Sequence, residues 1–443
     1  MILDSDLPEL KAYRELESTL PIRFAPELSR LVISSDNDSL PVHRWFKYKE
    51  AYSPAILSQV LAAHDVVVRR PASLLDPFCG VGTTLLTAQV LPNHFQNAVG
   101  IERNPFAAYV ARTKLCWPEI NPVKIRKMAE SVLSEATGVS SDLPSLSSIS
   151  TGRCISRHVA GRLIAVRDVI LSFPSSPARA VLLLGLASAI EPLSRVRKDG
   201  RALRLVEKRG QRVVPTLRSK WEETVTDILQ MQSRYSRFAP TKVYEGDGRE
   251  PGSIGLERGT IDMVFTSPPY PNNIDYSEVY KLELWLLGFI ASSEEFLKLR
   301  KSTLRSHPTS DLDGAHDVRF VREITSGSLS RSFSPLVNRT NSFKEKWRTK
   351  LALGYFSDIW VSLKQQYGLL RKSGRAFLVV ANSLHGGADG AYLVPTDLLL
   401  AQIGQSVGFQ LESILVARNT RRRLSGNHFL RESVVVLRKP NAV

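Results

Sequence analysis

The chain of 443 residues is short of cysteine and of long apolar runs. Its three cysteines, Cys79, Cys116 and Cys154, are too scattered for a disulfide framework or for paired zinc ligands, so we expect no metal site. The longest apolar run, residues 181–190, is too short to span a bilayer. Residues 1–20 lack the basic and then apolar pattern of a secretory signal. We therefore expect a cytoplasmic protein, or a nuclear one in a eukaryote, without a membrane partner.

Negative charge is the other shortage. The chain has 59 Lys and Arg residues against 43 Asp and Glu residues, a net charge of +16. Hydrophobic residues make up 43% of the chain, which is enough for a large core. A soluble protein this basic is expected to bind a polyanion, and nucleic acid is the commonest one. The alternative is a basic surface that serves solubility alone.

Short apolar runs alternate with helical patterns, which is typical of βαβ units and a mainly parallel sheet. Strands are predicted over residues 72–78, 98–101, 241–246, 261–266, 375–380, 409–417 and 432–439. The last two strands are close enough along the chain to form an antiparallel edge pair. Helices are predicted over residues 53–64, 83–91, 105–115, 276–290 and 395–406.

Two segments are longer than the connections of a βαβ unit require. Between Glu102 and Asp247, amphipathic patterns predict a helical insertion. Residues 291–345 are rich in Ser and Arg with weak periodicity, which predicts a long mobile loop. We therefore expect an amino-terminal part of the core over residues 1–120, a basic helical insertion over 121–240, and a carboxy-terminal part of the core over 241–443.

The sequence DPFCGVGTT at residues 76–84 follows a predicted strand and opens a predicted helix. Gly80 and Gly82 permit a tight turn and a ligand close to the backbone. A P-loop is excluded because no GK[ST] follows, and a dinucleotide fingerprint would need a third glycine.

Acidic residues end the next two strands. Glu102 is placed where a carboxylate can accept hydrogen bonds from two ribose hydroxyls. Asp247 is either an acceptor for an adenine amino group or an ordinary turn aspartate. The glycine turn and the acid at the end of the following strand together predict an adenosine site.

The sequence VFTSPPYPNNIDY at residues 264–276 runs from an apolar strand directly into two prolines. Consecutive prolines fix the backbone and remove two donors, so the corner is rigid and its carbonyls stay free. Free acceptors beside Tyr270 predict that a planar group is held there.

The glycine loop followed by TSPPY resembles the S-adenosylmethionine-dependent amino-methyltransferases of nucleic acids, especially the N4-cytosine DNA methyltransferases. The resemblance covers approximately residues 40–120 and 240–440. It implies a Rossmann-like class I methyltransferase fold with a seven-stranded, mainly parallel sheet, and S-adenosylmethionine as cofactor. It also implies a DNA partner with a flipped cytosine, a nucleoid-associated location and a possible restriction endonuclease partner.

The resemblance assigns roles residue by residue. The catalytic residues that it implies are Ser267, Pro268, Pro269 and Tyr270. The cofactor-binding residues that it implies are Asp76, Phe78, Gly80, Gly82, Thr83, Glu102, Asp247 and Thr266. Residues 43–54 loosely resemble the segment that closes over the methionine end of the cofactor, through Trp45, Tyr52 and Ser53. Packing in the core is the favoured interpretation of Trp45 and Tyr52.

The implied chemistry explains the proline corner. An exocyclic amine is conjugated into its base and is a poor nucleophile, so acceptors at Ser267 Oγ and at the Pro268 carbonyl would orient it. Tyr270 could stack on a base that is extruded from a duplex or taken from a single strand. A transfer of this kind needs no thiolate, so Cys79 is expected to be a packing residue.

The predicted pocket accepts either cytosine or adenine at Ser267 and Pro268. Asn272, Asn273 and Asp275 are candidates for contacts that discriminate the rest of the ring. The alternatives are therefore an N6-adenine DNA or RNA amino-methyltransferase, and a non-catalytic nucleic-acid-binding protein of the same fold.

Residues 195–220 contain ten Lys or Arg and two acidic residues, which predicts a phosphate-binding surface on the insertion. A solvated basic helix and loop is the alternative. The candidate nucleic-acid contacts are Arg195, Arg197, Lys198, Arg201, Arg204, Arg421 and Arg422.

Overall fold

The structure is a computed structural model, and it describes residues 9–63, 71–140, 143, 153–199, 202–208, 212–338, 343–385, 392–420 and 429–441. The strands in these residues are β1 (Ile22–Phe24), β2 (Ala72–Asp76), β3 (Phe95–Glu102), β4 (Val196–Asp199), β5 (Ala202–Leu205), β6 (Thr241–Glu245), β7 (Ile261–Thr266), β8 (Leu370–Ala381), β9 (Ser383–His385), β10 (Tyr392–Val394), β11 (Gln410–Asn419) and β12 (Arg431–Arg438).

A mainly parallel sheet forms the centre of the fold, in the order β1-β11-β12-β8-β7-β2-β3-β6. Neighbouring strands are parallel except at β12, which is antiparallel to both β11 and β8. The predicted Rossmann-like α/β fold is confirmed, but the predicted number of seven strands is wrong, because the described sheet has eight. The additional strand is β1, which pairs with β11 at Ile22 and Ile414.

The final two predicted strands are antiparallel, as expected, but they are not an edge pair. Strand β12 lies inside the sheet between β8 and β11, and β1 covers the outer side of β11. A three-residue strand is too short to show alternation in the sequence, which explains why β1 escaped prediction.

Parallel pairing brings the candidate site residues to one edge of the sheet. Leu74 of β2 lies opposite Met263 of β7, and Asp76 lies opposite Gly100 of β3. These three strands therefore end side by side, with Asp76, Glu102 and Thr266 as their last residues.

Helices cover both faces of the sheet, and each face has its own hydrophobic core. The helices are α1 (Leu10–Glu17), α2 (Ala55–Ala63), α3 (Thr83–Gln89), α4 (Pro105–Leu115), α5 (Pro122–Glu135), α6 (Arg157–Ser172), α7 (Pro177–Leu193), α8 (Val213–Arg234), α9 (Tyr276–Val279), α10 (Lys281–Leu286), α11 (Ser293–Ser302), α12 (Val318–Ser326), α13 (Ser330–Val337), α14 (Phe343–Leu369) and α15 (Thr396–Val407). Among the described residues, no helix has the length and apolar character needed to cross a membrane.

The segment between β3 and β6 is mainly helical, as its amphipathic patterns predict, and contains α4 to α8 together with the short strands β4 and β5. Helices α7 and α8 pack closely at Gly185, where a Cβ atom would lie 2.4 Å from the indole of Trp221. The indole Nε1 of Trp221 donates to the carbonyl of Leu182 at 2.9 Å. In its described residues, the basic stretch forms the antiparallel pair β4–β5 and the start of α8.

The prediction of a long loop over residues 291–345 is wrong for the part that the structure describes. Helices α11, α12 and α13 occupy much of this segment. Phe320 and Phe333 are fully buried and meet edge to face, with ring centroids 5.7 Å apart. These helices are only eight to ten residues long, so each contributes few apolar positions to a periodic pattern.

Helix α14, with 27 residues, was not predicted. Tyr355, Phe356, Ile359 and Trp360 are all buried, so the helix presents apolar side chains to several neighbours at once. A helix that is buried on many sides lacks the one-sided periodicity by which amphipathic helices are recognised in a sequence.

Asp227 of α8 connects the insertion to residues 42–45 near the amino terminus. Its carboxylate is fully buried and accepts from the backbone N–H of Val42 at 2.9 Å and from Trp45 Nε1 at 3.0 Å. Arg44 completes the arrangement with a bidentate ion pair. Val42 has a φ of 66°, a conformation that β-branched residues rarely adopt, so Asp227 holds a strained backbone in place.

We expect Asp227→Ala to lower the free energy of unfolding by about 3–5 kcal/mol, because it leaves Arg44 and two N–H donors without their buried acceptor. The measurement is chemical unfolding of the full chain, followed by fluorescence. The matched control is Glu222→Ala on the same helix, which removes an exposed ion pair with Arg126 and should cost about 1 kcal/mol or less. Equal losses in the two variants would contradict the assigned role of Asp227.

Candidate active site

A cleft of about 2040 Å³ opens at the edge of the sheet where β2, β3 and β7 end. The glycine loop, the acid at the end of β3 and the proline corner all line it. Ligand sites for single small molecules commonly have volumes of about 300–1,000 Å³, so this cleft has room for a cofactor together with a base.

Asp76 joins the glycine loop to the end of β7. Its Oδ1 accepts from the hydroxyl of Thr266 at 2.7 Å and from the Phe78 N–H at 3.1 Å, and its Oδ2 accepts from Thr84 at 2.7 Å. Burial raises the pKa of Asp76 to about 6, although these hydrogen bonds oppose the rise. Asp76 is 1% exposed and, like Thr266, does not line the cleft. This corrects the prediction that both residues contact the cofactor, because they hold the strand ends together instead.

The two glycines of the loop have different surroundings. Gly80 lines the cleft and has a φ of 52°, in the left-handed region that glycine adopts without strain. Gly82 lies against α4, where a Cβ atom would be 3.1 Å from that of Ala111, and it does not line the cleft. Gly82 therefore serves helix packing, whereas Phe78 and Thr83 line the cleft.

Glu102 lines the cleft opposite the glycine loop. Its Oε2 accepts from the N–H of Gly80 at 3.0 Å, and its Oε1 accepts from the N–H of Asn104 at 2.7 Å. Burial raises the pKa of Glu102 to about 7 in spite of these donors. Because a carboxylate oxygen can accept more than one hydrogen bond, both oxygens keep capacity for a vicinal diol.

Asp247 also lines the cleft, but Arg249 already occupies its carboxylate. The guanidinium Nε of Arg249 lies 3.0 Å from both oxygens, and the backbone N–H of Arg249 donates to Oδ1 at 2.9 Å. An adenine amino group would have to share these oxygens, so both interpretations of Asp247 stay predictions.

Sequence reasoning missed the adjacent Gly248, where a Cβ atom would lie 2.1 Å from the carbonyl oxygen of Pro77.

The proline corner presents Ser267 to the cleft together with Pro268, Pro269 and Tyr270. Ser267 Oγ lies 3.0 Å from the carbonyl oxygen of Val379 and 3.0 Å from the hydroxyl of Tyr270. A carbonyl oxygen can only accept, so the serine proton is directed to Val379 in β8. The hydroxyl of Tyr270 then donates to Ser267 Oγ, and the second lone pair of the serine is left to accept an N–H from a ligand.

The loop after the corner separates the three predicted base contacts. Asn272 and Asn273 line the cleft, whereas Asp275 does not, because it caps α9 and its Oδ2 accepts from Arg300 Nε at 2.5 Å. This corrects the prediction that Asp275 is a candidate for contacting the ring. Sequence reasoning missed His385, whose Nδ1 lies 3.1 Å from Nδ2 of Asn273 although 112 residues separate the two.

The segment over residues 43–54 forms one wall of the cleft. Tyr52 lines it, whereas Trp45 is buried in the core and Ser53 does not line the cleft, so only one of the three predicted residues is placed to contact a ligand. Tyr48 and Glu50 line the same wall and were missed. Their adjacency to the glycine loop comes from tertiary packing, for which the sequence carries no periodic signal.

Cys79 is 6% exposed and packs beside Gly100, where a Cβ atom would lie 2.7 Å from its Sγ. Burial, together with the carboxylates of Asp76 and Glu102, raises the pKa of the thiol. A protonated, buried thiol is a poor nucleophile, in agreement with a packing role.

The predicted nucleic-acid contacts fall into three groups. Arg195, Arg197 and Arg204 are exposed on the hairpin β4–β5. Lys198 is 3% exposed, forms an ion pair with Glu283 and lies 4.5 Å from the ring of Tyr280, so it is not available to a phosphate and that prediction is wrong. The remaining candidates, Arg201, Arg421 and Arg422, lie outside the described residues.

The residues of the cleft fit S-adenosylmethionine. Glu102 offers acceptors for a ribose diol, Gly80 lets a ligand approach the backbone, and the wall around Tyr48 and Glu50 supplies aromatic and acidic groups for a cationic end. The cofactor would supply an electrophilic methyl group on a sulfonium.

Comparison with known proteins found no matching family model. The chain is 24% identical over 460 residues to the type II methyltransferase M.AvaI of Nostoc sp., which covers 95% of this chain and 91% of that protein. It is 23% identical over 461 residues to the type II methyltransferase M.BsoBI of Geobacillus stearothermophilus. That alignment covers 93% of this chain and 88% of M.BsoBI. It is 19% identical over 389 residues to the type II methyltransferase M.MvaI of Kocuria varians. That alignment covers 82% of this chain and 80% of M.MvaI.

Among solved structures, the rRNA methyltransferase aviRa of Streptomyces viridochromogenes covers 91% of this chain and 92% of its own. Its identity of 10% and TM-score of 0.33 are too low to support a conclusion. Over most of its length, therefore, this chain is similar in sequence to type II methyltransferases.

The raised pKa of Glu102 predicts a specific dependence of stability on pH. Between the ordinary value of 4.5 and the folded value of about 7, the folded state holds this proton more tightly than the unfolded state does. Stability due to Glu102 is therefore present at low pH and is lost as the pH rises through this window. We expect the stability of Glu102→Gln to rise relative to that of the wild type over the same window.

The measurement is urea unfolding of both proteins at several pH values on each side of the window. Glu257→Gln, at an exposed position, is the matched control and should show a constant difference from the wild type. A constant difference for Glu102→Gln as well would mean that its carboxylate is solvated in the folded state.

Proposed function

We propose that the protein is a site-specific DNA methyltransferase that transfers a methyl group from S-adenosylmethionine to the exocyclic N4 amine of cytosine. The observation that carries the proposal is the position of Ser267. Its hydroxyl donates to the Val379 carbonyl, which leaves an acceptor lone pair on a residue that lines the same cleft as Glu102 and Gly80.

The chemistry at the corner is positioning of the amine. The lone pair of an exocyclic amine is delocalised into the ring, so the nitrogen gains nucleophilicity when acceptors bind its N–H groups and orient it. Ser267 Oγ and the Pro268 carbonyl are the two acceptors, and neither needs to be charged. Tyr270, whose hydroxyl is held by Ser267, provides a ring against which the base can stack.

The relatives support DNA as the substrate. Type II methyltransferases modify DNA at defined sequences, and the similarity to M.AvaI and M.BsoBI extends along nearly the whole chain, including the insertion. Enzymes of this type commonly act beside a restriction endonuclease, which makes such an endonuclease the natural functional partner.

Cytosine is favoured over adenine by the resemblance of TSPPY to the N4-cytosine enzymes. Adenine offers the same pair of groups, an amine beside a ring acceptor, so an N6-adenine DNA or RNA enzyme is the alternative that the site chemistry also permits. A non-catalytic binder of the same fold would not need the oriented acceptor at Ser267.

The hairpin β4–β5 is the surface best suited to bind the DNA backbone. Arg197 and Arg204 lie directly opposite each other in the hairpin, and both are exposed. Two exposed arginines at facing positions present a concentrated positive charge to an anionic partner. Val196 and Lys198 point to the buried side, which leaves the arginines on the solvent side.

In a bacterial host that lacks its own DNA methylation, we expect expression of the wild-type chain to produce N4-methylcytosine in genomic DNA, measured by mass spectrometry of nucleosides.

The purified Ser267→Ala variant should lose about 10²-fold or more in turnover, because one oriented acceptor is removed. Its affinity for the cofactor, measured by calorimetry, should stay unchanged.

Ser253→Ala, at an exposed position, is the matched control and should retain full activity. Detection of N6-methyladenine, or of methylated RNA with unmodified DNA, would refute the choice of cytosine in DNA. Loss of cofactor binding in Ser267→Ala would place the serine in the cofactor site instead.

Replacing Arg195, Arg197 and Arg204 together with Gln should weaken DNA binding for all sequences alike. The slope of log affinity against log salt should decrease by up to about 3, close to one unit for each phosphate that an arginine no longer neutralises. Fluorescence anisotropy with a labelled duplex at several salt concentrations measures both quantities.

The matched control replaces three exposed arginines of α12 and α13 with Gln, namely Arg319, Arg322 and Arg331. It removes the same charge, so a specific role for the hairpin predicts an unchanged salt slope in this variant. If the slope decreases equally in both triple variants, only net charge matters and the hairpin is not the DNA-binding surface.

A further inference from the structure

The cleft extends past the proline corner, on the side away from the glycine loop. The order of the sheet places β3 and β2 on one side of β7, and β8, β12 and β11 on the other. Because β12 is antiparallel to its neighbours, its first residues lie at the same edge as the last residues of β8 and β11. Residues 381–385, 418–420, 430 and 432 line the cleft there, and together they form its distal half.

The distal half is where a target base would lie. Glu102 and the glycine loop follow β3 and β2, so the proposed cofactor site is on that side of the corner. A direct methyl transfer needs the accepting nitrogen and the departing sulfur on opposite sides of the methyl group. With its amine at Ser267, a base would therefore extend from the corner into the distal half, on the side of Val379.

An ion pair is built into the distal half. The Nε and Nη2 atoms of Arg418 donate to the two carboxylate oxygens of Glu432 at 2.8 and 2.9 Å. The two residues face each other across β11 and β12, and Glu432 also faces Ala381 of β8. Among the described residues that line the distal half, they are the only Asp, Glu, Lys or Arg side chains. A bidentate pair between strands holds the guanidinium in one orientation.

This pairing leaves one edge of the guanidinium unused. Both oxygens of Glu432 accept from Arg418, whereas none of the described residues accepts a hydrogen bond from Nη1 of Arg418. Because the guanidinium is a planar fork, Nη1 is directed away from the carboxylate. The side chain of Arg418 is 32% exposed, so its unused donors are open to a ligand that offers an acceptor.

Tyr270 lies close to the same ion pair. Burial is the main cause that raises the pKa of Tyr270, and the charge of Glu432 raises it further, whereas Ser267 and Arg418 lower it. Charges shift a titration in this way over short distances. Arg418 is therefore within reach of a base that stacks on Tyr270 and binds Ser267.

Cytosine and adenine differ at the position that such a donor can reach. Both bases have a ring nitrogen acceptor beside the carbon that carries the amine. The next ring atom carries the carbonyl oxygen O2 in cytosine and only a C–H in adenine. A carbonyl would satisfy a charged N–H, whereas a C–H would leave it without a partner, and sites of this kind discriminate strongly.

We propose that Arg418 donates from Nη1 to the O2 carbonyl of the target cytosine and thereby selects cytosine over adenine. This inference rests on the proposed function, and it assigns the discriminating contact to a residue outside the glycine loop and the proline corner. Glu432 is a positioning residue that orients the guanidinium. Ser267, by contrast, accepts from the amine of either base.

The test compares duplexes that differ only at the target base. The methylated site is first located by sequencing DNA from the expressing host. One duplex then carries cytosine at this site, a second carries adenine, and a third carries a 2-aminopyridine C-nucleoside, which keeps the amine and the ring nitrogen of cytosine but lacks O2. In Arg418→Met, kcat/KM for cytosine should fall about 10-fold or more, the scale of one hydrogen bond to a charged group. The values for the other two duplexes should change little.

Binding gives a second readout that does not depend on turnover. The affinity of the full-length protein for each duplex is measured by fluorescence anisotropy in the presence of S-adenosylhomocysteine. Arg418→Met should weaken binding of the cytosine duplex and leave binding of the other two duplexes unchanged.

Arg375→Met is the matched control. Arg375 of β8 forms the same kind of bidentate pair with Glu412 of β11, at 2.7 and 3.1 Å, but it does not line the cleft. This variant should keep the wild-type preference among the three duplexes. Arg418→Lys keeps a positive charge beside Glu432 without the planar fork, so it should show the Arg418→Met pattern with a smaller loss. It decides the matter if Arg418→Met does not fold.

The outcomes separate this inference from the proposed function. Equal losses on all three duplexes would assign Arg418 to the DNA backbone or to folding, and unchanged values would exclude a contact, so either result refutes the inference. If the host DNA contains no N4-methylcytosine, the proposed function fails before any variant is tested.

Discussion

The buried carboxylate of Asp76 is the interaction on which the geometry of the cleft depends. It joins the end of β2 to α3 through Thr84 and to the end of β7 through Thr266. The glycine loop and the proline corner begin immediately after these two strands, so one side chain sets the distance between them. Burial of an anion is costly, and the several donors around Asp76 offset that cost only in part, as its raised pKa shows.

The insertion has a second role beyond any contact with DNA. Asp227 of α8 and Lys198 of β4 both reach the amino-terminal segment that forms one wall of the cleft. A basic segment in a sequence suggests phosphate binding, but a cation that is buried over aromatic rings and paired with Glu283 contributes to packing. The hairpin thus has a buried side that supports the cleft wall formed by residues 43–54 and an exposed side with the arginines.

The sequence predicted the features that local patterns encode and missed those that depend on tertiary contacts. All seven predicted strands are present, because continuous apolar runs bounded by turns identify buried parallel strands. Helix α14 was missed because it is buried on several sides. Motif spacing marked Glu102 and Ser267, which both line the cleft, whereas His385 reaches the cleft from a segment with no motif of its own. Asp76 was assigned to the cofactor because a motif marks its position but not the direction of its side chain.

The charge of the whole chain and the charge of the cleft differ. The chain carries a net charge of +16, whereas the side chains that line the cleft are nearly balanced, with Glu50, Glu102, Asp247 and Glu432 against Lys49, Arg103 and Arg418. A basic exterior attracts a polyanion, and a nearly balanced cleft adds little to that attraction. The raised pKa of Glu102, about 7, shows that its charge is only weakly stabilised without a ligand. A bound cation would stabilise the ionised form of such acids, so cofactor binding and deprotonation of the cleft should be thermodynamically linked. A neutral base can then enter the cleft while its phosphates stay outside on the basic surface.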